Sequence, residues 1–457
     1  MSARTPLSVM PQPGGYELSG VPLDIGGERA SSRRGLIAVA GVLCSGAVIA
    51  VGAAHTLALL PQSIRPVLPP LAGVFNSVGV NLHVGWAIAA FVLYFVSYAF
   101  AVASAGQLSG RVVLTVIAAL YALVLLAPPL VSTDIFSYQA YARMGALYGT
   151  NPYTHGPHAI ALDGVFPYVG AKWSYISTAY GPVFTVFSYL LAPLSVAASV
   201  FAYKSIAAVA SLALVAVVWH CARLRGKDPV KAITLVGLNP LLVIYGVGGG
   251  HNDLLMLLVG VGGIYAILSS RERLGGGLTM LAVGIKLTAG LVFPFALLAG
   301  GRRRGRPRRD LILSAAVGAA LLAVLSLGVF GWGSFDMLST INKSQSEGQW
   351  SIPAVLSSVL GVGTVTGYAL GGVFLVVCAW LLRRVWQGKT DWLDGAGWAM
   401  MAMLVASSSL LPWYVSWLLP LAALGHDRRL ARMTLVLTGV VLGIQLLGYI
   451  PHGGGLL

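Results

Sequence analysis

Apolar runs long enough to cross a bilayer recur along this chain and restrict its fold more than any other feature. Residues 35–60, 84–106 and 111–131 each form such a run, and about 20 apolar residues let a helix span the hydrocarbon core. Of the 457 residues, 57% are hydrophobic and 9% are charged, whereas roughly a quarter are charged in soluble proteins. No alternating strand-length pattern accompanies the runs. The sequence therefore predicts an all-α, polytopic membrane helical bundle.

The basic residues predict how this bundle is oriented. The formal net charge of +15 is by itself compatible with a nucleic-acid partner. If the N-terminal tail, residues 1–34, is cytoplasmic, the apolar runs place 23 of the 29 Lys and Arg residues on that same face, including RRRGRPRR at 302–309. Cytoplasmic loops of membrane proteins carry such an excess of positive charge. The charge is thus a sign of membrane topology, and no nucleic-acid partner is expected.

About eleven crossings follow from this orientation, within one module over residues 35–457. Two apolar segments do not fit as ordinary crossings, because counting 182–196 or 274–300 as a full span would move basic loops to the wrong face. We expect both to be re-entrant or broken helices, the second hinged around Gly284–Gly290. Irregular backbone at this depth must be buried in protein or line a cavity.

Polar clusters collect on the face opposite the basic loops. This outer face receives the C-terminus and two long loops, 132–180 and 332–365. In the first loop Asp134 shares a helical stripe with Tyr138, Tyr141 and Tyr148, which predicts an interfacial helix. Tyrosines are typical of a membrane-boundary belt, and an aspartate at a helix N-terminus is favoured by the helix dipole. A belt alone does not require the carboxylate.

Two further polar groups interrupt apolar sequence. The segment GGGHNDLL supplies His251, Asn252 and Asp253 at the start of a helix, where either of the last two is also an ordinary cap. No His or Cys spacing is typical of a zinc site, so a metal is not indicated. Lys286 lies far from either end of its apolar segment. A lysine at bilayer depth costs roughly 2.5–3.5 kcal/mol and indicates a functional site with an anionic partner, such as a lipid headgroup.

Several segments between about residues 110 and 425 together resemble one enzyme family. The chain is similar there to the polyprenol-phosphate-mannose-dependent α-1,6-mannosyltransferases of actinobacteria, which belong to the GT-C glycosyltransferase superfamily. The segments are STDIFSYQAYAR (132–143), AYGPVF (179–184), GGHNDLL (249–255), IKLTAGLVFP (285–294) and LLPWYVSWLLPLAAL (410–424).

The resemblance implies a GT-C-like fold and an inverting glycosyltransferase of cell envelope biosynthesis. Such an enzyme takes mannose from a polyprenyl-phosphate donor and adds it to a lipomannan or lipoarabinomannan-type acceptor. It lies in the plasma membrane, in contact with the lipid bilayer, and its active site is extracytoplasmic. No cofactor is indicated by the sequence, and the need for a divalent metal stays open.

The same resemblance implies that Asp134 is the general base. A carboxylate near an acceptor hydroxyl can accept its proton. We expect Lys286 and His251 to bind the donor phosphate, and Lys172 and Lys204 are the second-choice candidates, held in reserve for the same role. The PWY aromatics suit either a boundary belt or stacking on a sugar ring. The residues expected to contact sugars or acceptor are Tyr138, Tyr180, Asn252, Asp253, Gln349, Trp350, Trp413 and Tyr414.

Two alternatives stay open at this level. A related transferase can use another polyprenyl-phosphate sugar, such as arabinose or glucose. A lipid or sugar transporter is the non-enzymatic alternative, because broken helices and an intramembrane lysine also suit transporters. The chain shows no repeat of fixed period, and its polar groups concentrate on one face, which favours the enzyme.

Overall fold

The chain is built from helices, and no β-strand occurs in the ranges described, which confirms the predicted all-α class. The computed structural model describes residues 31–65, 67–300, 308–346 and 363–449, apart from the side chains of 342–346 and 363–366. The helices are α1 (Arg33–Gly52), α2 (Val84–Ser104), α3 (Gly110–Leu126), α4 (Asp134–Tyr148), α5 (Pro182–Ser188), α6 (Val196–Leu224), α7 (Pro229–Gly237), α8 (Asp253–Leu268), α9 (Glu272–Ile285), α10 (Val292–Leu297), α11 (Arg309–Phe330), α12 (Asp336–Ser346), α13 (Gly363–Trp386), α14 (Trp392–Ala406), α15 (Leu419–Leu424) and α16 (Arg428–Leu447).

Six helices of the described ranges are long and apolar enough to cross a membrane: α1, α2, α6, α11, α13 and α16. A seventh candidate is α7 together with the helical turn Leu241–Val247, which follows it at an angle of 51°. The other predicted crossings coincide with shorter apolar helices, namely Gly110–Leu126, Asp253–Leu268, Trp392–Ala406 and Pro412–Leu424. The protein is thus a multi-pass membrane bundle, in which four of the eleven predicted crossings are shorter than a standard span.

The helix breaks follow from local sequence. The helix α7 gives way to Leu241–Val247 at Pro240, and the Asn239 side chain accepts the backbone N–H of Leu241 at 3.0 Å. Proline cannot continue the hydrogen-bond ladder of a helix. The helix α9 ends at Ile285, and Lys286 is extended with φ −152° and ψ 125°. The break predicted around Gly284–Gly290 is therefore confirmed.

The segment 182–196 is also a partial element, as predicted. The helix α5 has only 7 residues and is followed by a single tighter turn, Tyr189–Leu191. A helix of this length cannot span a bilayer, since each residue adds 1.5 Å.

The predicted interfacial helix exists as α4, but its position differs from the expectation. Tyr138 is 1% exposed and Tyr141 is 4% exposed. The segment that follows α4 folds back over it, so that the Tyr141 hydroxyl donates a hydrogen bond to the carbonyl of Ile176 at 2.8 Å. These two tyrosines are covered by protein and are not a membrane-boundary belt. Of the three tyrosines on this stripe, only Tyr148, at the end of the helix, is exposed.

Ion pairs connect neighbouring segments at one end of the bundle. Arg225, in the turn between α6 and α7, pairs with Asp391 before α14 at 2.8 Å and donates to the carbonyl of Leu424 at the end of α15. Arg308 pairs with Glu272 at 2.9 Å. These are the turns that carry the basic residues. The turn between α3 and α4 lies at the opposite end of the helices and leads into the candidate site.

Candidate functional site

A strained turn precedes Asp134. Val131 has φ +53°, an outlier for a β-branched residue that persists only when its surroundings hold it. The backbone N–H of Val131 donates to the carbonyl of Leu59 at 2.9 Å, and that of Leu130 donates to the carbonyl of Gly248 at 3.1 Å. The second bond ties the turn before Asp134 directly to the glycine turn before His251.

The glycine turn admits the imidazole of His251 because two of its residues lack a side chain. Gly250 has φ +68°, in the region that favours glycine. A Cβ on Gly249 would lie 2.8 Å and 2.9 Å from two ring atoms of His251. The turn therefore presses closely against the edge of the ring, and α8 begins two residues later at Asp253.

His251 lies behind Asp134 and contacts it. Its Nδ1 is 3.5 Å from Oδ2 of Asp134 and 3.4 Å from the hydroxyl of Tyr138. The ring is 1% exposed and stacks on Trp413, with centroids 3.8 Å apart. Burial lowers the pKa of His251 to about 3, although nearby Asp253 opposes the shift. A buried, neutral imidazole offers no positive charge to a phosphate, which argues against the predicted phosphate-binding role of His251.

Lys286 has its anionic partner within the chain. Its Nζ donates to Oδ1 of Asp253 at 2.7 Å, and Nε1 of Trp417 donates to the same oxygen at 2.6 Å. The ammonium also lies 5.0 Å and 5.1 Å from the ring centroids of Tyr414 and Trp417, in cation–π range. Asp253 is completely buried, whereas the Lys286 side chain keeps 13% exposure. Asp253 is thus the counter-ion of Lys286, and its burial argues against the predicted sugar contact.

Tyr180 joins these groups through a close backbone approach. The N–H of Gly181 donates to the carbonyl of Ile285 at 3.0 Å, and a side chain at Gly181 would collide with the backbone at the end of α9. Tyr180 and Lys286 are consequently held on adjacent segments. The Tyr180 hydroxyl donates to Oδ2 of Asp134 at 3.4 Å.

A cavity of about 370 Å³ opens in front of Asp134 and Lys286. Its lining combines polar side chains, here called the polar wall, with apolar side chains, here called the apolar wall, several of which come from α13 and α14. The polar wall includes Asp134, Ser137, Tyr141, Lys172, Ser177, Tyr180, Lys286, Thr288, Thr340, Ser407, Ser409 and Tyr414. The apolar wall includes Ile176, Ala179, Leu287, Ile341, Phe374, Met403, Leu404, Ala406 and Leu411. A cavity with two such walls suits an amphiphile.

The predicted site residues fall into distinct positions. Those that line the cavity are Asp134, Lys172, Tyr180, Lys286 and Tyr414. Buried behind this wall are Tyr138, His251, Asn252, Asp253 and Trp413. The position of Trp413 and Tyr138 argues against the stacking of a sugar on either ring. Gln349 and Trp350 lie outside the described residues.

Lys204 lies apart from the cavity wall, which argues against its predicted reserve role in phosphate binding. It is 1% exposed on α6, and its Nζ donates to the carbonyl of Ala127 and, at 2.9 Å, to that of Pro128. These carbonyls follow the end of α3, where no intrahelical donor is available. Lys204 therefore caps α3.

Several lining residues were not predicted. Ser177 and Thr340 share a hydrogen bond at 2.7 Å that joins the segment after α4 to α12. Both lie in the predicted outer loops, but nothing in the sequence distinguishes them from their polar neighbours. Trp417, three residues after Tyr414, was not predicted as a site residue, yet it both lines the cavity and donates to Asp253. In the part of the chain that the structure describes, no cluster of three or more His, Cys, Asp or Glu is arranged to hold a metal ion.

Comparisons with known proteins find related sequences. A family model described as "Alpha-(1->6)-mannopyranosyltransferase, N-terminal domain" matches residues 38–302, and one described as "MptB C-terminal domain" matches residues 349–457. The chain is 29% identical to a probable alpha-(1->6)-mannopyranosyltransferase of Mycolicibacterium smegmatis over 69% of this chain and 66% of the relative. It is 30% identical to alpha-(1->6)-mannopyranosyltransferase A of Mycobacterium tuberculosis over 66% of this chain and 64% of the relative.

A third relative, alpha-(1->6)-mannopyranosyltransferase A of Corynebacterium glutamicum, is 29% identical over 66% of this chain and 69% of its own length. The chain thus spans about two thirds of the length of the curated relatives it matches. No solved structure matches this chain.

Proposed function

Because the chain belongs to the alpha-(1->6)-mannopyranosyltransferase family of actinobacteria, we propose that it transfers mannose from a polyprenyl-phosphate donor to a mannan acceptor. The observation that carries this proposal is one cavity in which Asp134 and Lys286 share the polar wall. A carboxylate and an ammonium are the two groups that this transfer requires from the protein.

The apolar wall of the cavity supports a lipid-linked donor. Phe374 of α13 and Met403 of α14 lie on it, and Lys286 lies on the polar wall. A polyprenyl phosphate likewise combines an apolar chain with an anionic head. A nucleotide sugar would instead need polar contacts along its whole length, and the sequence contains no dinucleotide or phosphate-loop motif.

Asp134 is suited to act as the general base. In a single displacement with inversion, the acceptor hydroxyl attacks the anomeric carbon and gives its proton to Oδ1 or Oδ2 of Asp134. The bond between the anomeric carbon and the phosphate oxygen breaks, and its electron pair leaves with the polyprenyl phosphate. Because this leaving group is already a stable anion, no general acid is needed. Retaining hydrolysis would instead use two close carboxylates that both reach the sugar, and Asp253 is completely buried.

Lys286 and Lys172 are the cations that can stabilise the departing phosphate. Both line the cavity, and a fixed positive group at the site of developing charge contributes to catalysis through electrostatics. Lys286 is held in place by Asp253 and by the faces of Tyr414 and Trp417. Lys172 lies 5.2 Å from the ring centroid of its neighbour Trp173.

The cavity is proposed to face the extracytoplasmic side of the plasma membrane. The turns rich in basic residues lie at the opposite end of the bundle, where Arg225 and Arg308 make their ion pairs. The positive-inside rule assigns that end to the cytoplasm. This orientation also gives a cytoplasmic N-terminus, an extracytoplasmic C-terminus and access to acceptors of the lipomannan or lipoarabinomannan type.

The proposal is tested with the purified protein in vesicles and a panel of donors: polyprenyl-phosphate mannose, arabinose and glucose, and mannose 1-phosphate as the control without a lipid chain. We expect α-1,6-linked mannose on a short mannan acceptor from polyprenyl-phosphate mannose, and no product from mannose 1-phosphate. Transfer from the arabinose or glucose lipid alone would contradict the donor assignment. Vesicle uptake of a sugar or lipid without any transfer would indicate a transporter.

The transfer rate is expected to rise with pH through about 6. Burial raises the pKa of Asp134 to about 6, against the opposing effect of Lys286. Below that pKa the carboxyl is protonated and cannot accept the acceptor proton, so activity is lost as the pH falls. The measurement is kcat/KM between about pH 4.5 and 8, which reports the free enzyme. A profile that is flat through pH 6 would contradict the role of Asp134 as the base.

A further inference from the structure

We propose that His251 is a positioning residue that orients the Asp134 carboxylate by donating its Nδ1–H to Oδ2. This inference rests on the proposed function and deepens it, because it assigns a part of the machinery that holds the base. It replaces the expectation that His251 binds the donor phosphate.

Acceptors surround Nδ1 of His251. Oδ2 of Asp134 lies at 3.5 Å, the Tyr138 oxygen at 3.4 Å and Oδ2 of Asp253 at 4.0 Å. The Tyr138 hydroxyl donates to Oδ1 of Asn252 at 3.3 Å, so its oxygen is able to accept from the ring. In the described part of the chain, Nε2 of His251 and Oδ2 of Asp253 have no hydrogen-bond partner. This arrangement favours the tautomer with the proton on Nδ1.

The ring is fixed from two sides. Trp413 stacks on its face at 3.8 Å, with 25° between the planes. Gly249 lies at its edge, where even a methyl group would collide. Because the imidazole can neither rotate freely nor move into the cavity, its donor points to a constant position. A group fixed by packing is what precise placement of a reacting atom requires.

The contacts also distinguish the two oxygens of the base. Tyr180 and His251 both approach Oδ2 of Asp134, at 3.4 Å and 3.5 Å. Because of these two contacts on Oδ2, we assign Oδ1 to the acceptor hydroxyl. Hydrogen bonds of catalytic groups are often long in the free enzyme and shorten when substrate binds. The donors on Oδ2 therefore set the direction in which Oδ1 meets the incoming hydroxyl.

The effect on proton binding has a defined sign. A hydrogen bond donated to a carboxylate stabilises its ionised form, so the loss of the His251 donor raises the pKa of Asp134. Other groups around Asp134 stay in place in a variant at position 251. They are the Ser132 hydroxyl, which also binds the Asp134 carboxylate, Tyr138 and Tyr141 of α4, and Tyr180, Asp253, Lys286 and Tyr414 from the neighbouring segments.

The test compares His251→Phe with His251→Asn. Phenylalanine keeps a ring for the stack on Trp413 but has no donor, whereas the Asn amide nitrogen stands where Nδ1 was. We expect His251→Phe to lower kcat by about 10- to 100-fold with the donor KM unchanged. The pH midpoint of kcat/KM should move up by roughly half a unit to one unit, and His251→Asn should restore most of both losses. His158→Phe, an exposed site outside the cavity wall, is the matched control.

A second measurement does not depend on activity. The infrared band of the Asp134 carboxyl, identified by its loss in Asp134→Asn, should titrate at higher pH in His251→Phe than in the wild type. If His251→Phe does not fold, His251→Asn is compared with His251→Gln, whose amide reaches the place of Nε2. Asn should then be active and Gln impaired.

Some outcomes would overturn the inference. A folded His251→Phe protein with wild-type kcat and an unchanged Asp134 band excludes the positioning role. A raised donor KM with normal kcat would instead support the role in phosphate binding that the sequence predicted for His251. If the wild type transfers no sugar but the Asp134 band still shifts in His251→Phe, the proposed function is wrong. The contact between His251 and Asp134 is then still supported.

Discussion

Replacing Asp134 with asparagine is expected to lower the rate of mannosyl transfer by about 1,000-fold, while the protein stays folded in the membrane. General-base catalysis contributes typically 10²- to 10⁴-fold, and asparagine cannot accept the proton of the acceptor hydroxyl. The amide is nearly the same size as the carboxyl and can still accept the Tyr180 hydroxyl that contacts Oδ2. The measurement is transfer from radiolabelled polyprenyl-phosphate mannose by equal amounts of purified protein.

Asp336→Asn is the matched control for this variant. Asp336 is an exposed carboxylate at the start of α12 and does not line the cavity, so the same chemical change there should leave transfer unaltered. Melting in detergent shows whether each protein is folded. A folded Asp134→Asn protein with more than about a tenth of wild-type activity would exclude Asp134 as the base, because proton transfer would then contribute less than such catalysis supplies.

The helices and their breaks were predictable because they depend on local sequence. Apolar runs predicted the long helices, and the basic residues on both sides of segment 274–300 predicted the break around Gly284–Gly290, where α9 ends at Ile285. The insertion cost of a lone lysine also indicated correctly that Lys286 needs an anion. The anion could not be named, since Asp253 lies 33 residues away in the sequence. That contact forms only when the start of α8 packs beside the end of α9.

The environment of the polar residues was less predictable than their location. Helical spacing placed Asp134, Tyr138 and Tyr141 on one stripe, but spacing does not show what covers a stripe. The segment that covers α4 consists of short turns such as Pro157–Ile160 and Ala171–Trp173, which have no hydrophobic period. The tyrosines therefore had the pattern of a lipid boundary, although protein buries them.

The apolar wall of the cavity was not predictable for a related reason. Phe374 and Met403 line the cavity, whereas Leu375 on α13 is exposed and Met400 on α14 is buried in the core. All these surroundings favour the same side chains, because lipid tails are as apolar as a protein interior. Only the packing of α13 on α14 distinguishes the residues that line the cavity from their neighbours.

Replacing Lys286 with methionine is expected to have two separate effects. Asp253 would stay buried without its counter-ion, which typically costs about 3–5 kcal/mol of stability. Transfer would fall by about 100- to 1,000-fold, as is usual when one group that stabilises developing charge is removed. Because unfolding alone could lower activity, the single variant does not separate the two effects.

The double variant Lys286→Met with Asp253→Asn separates them. Asparagine removes the unpaired charge. Its Oδ1 can still accept the Nε1–H of Trp417, which in the wild type donates to Asp253 at 2.6 Å. Most of the lost stability should return, measured as the melting temperature in detergent, whereas transfer should stay low. Lys231→Met, an exposed lysine at the opposite end of the bundle, controls for the substitution. Recovery of transfer together with stability would show that Lys286 only balances the charge of Asp253 and does not act on the phosphate.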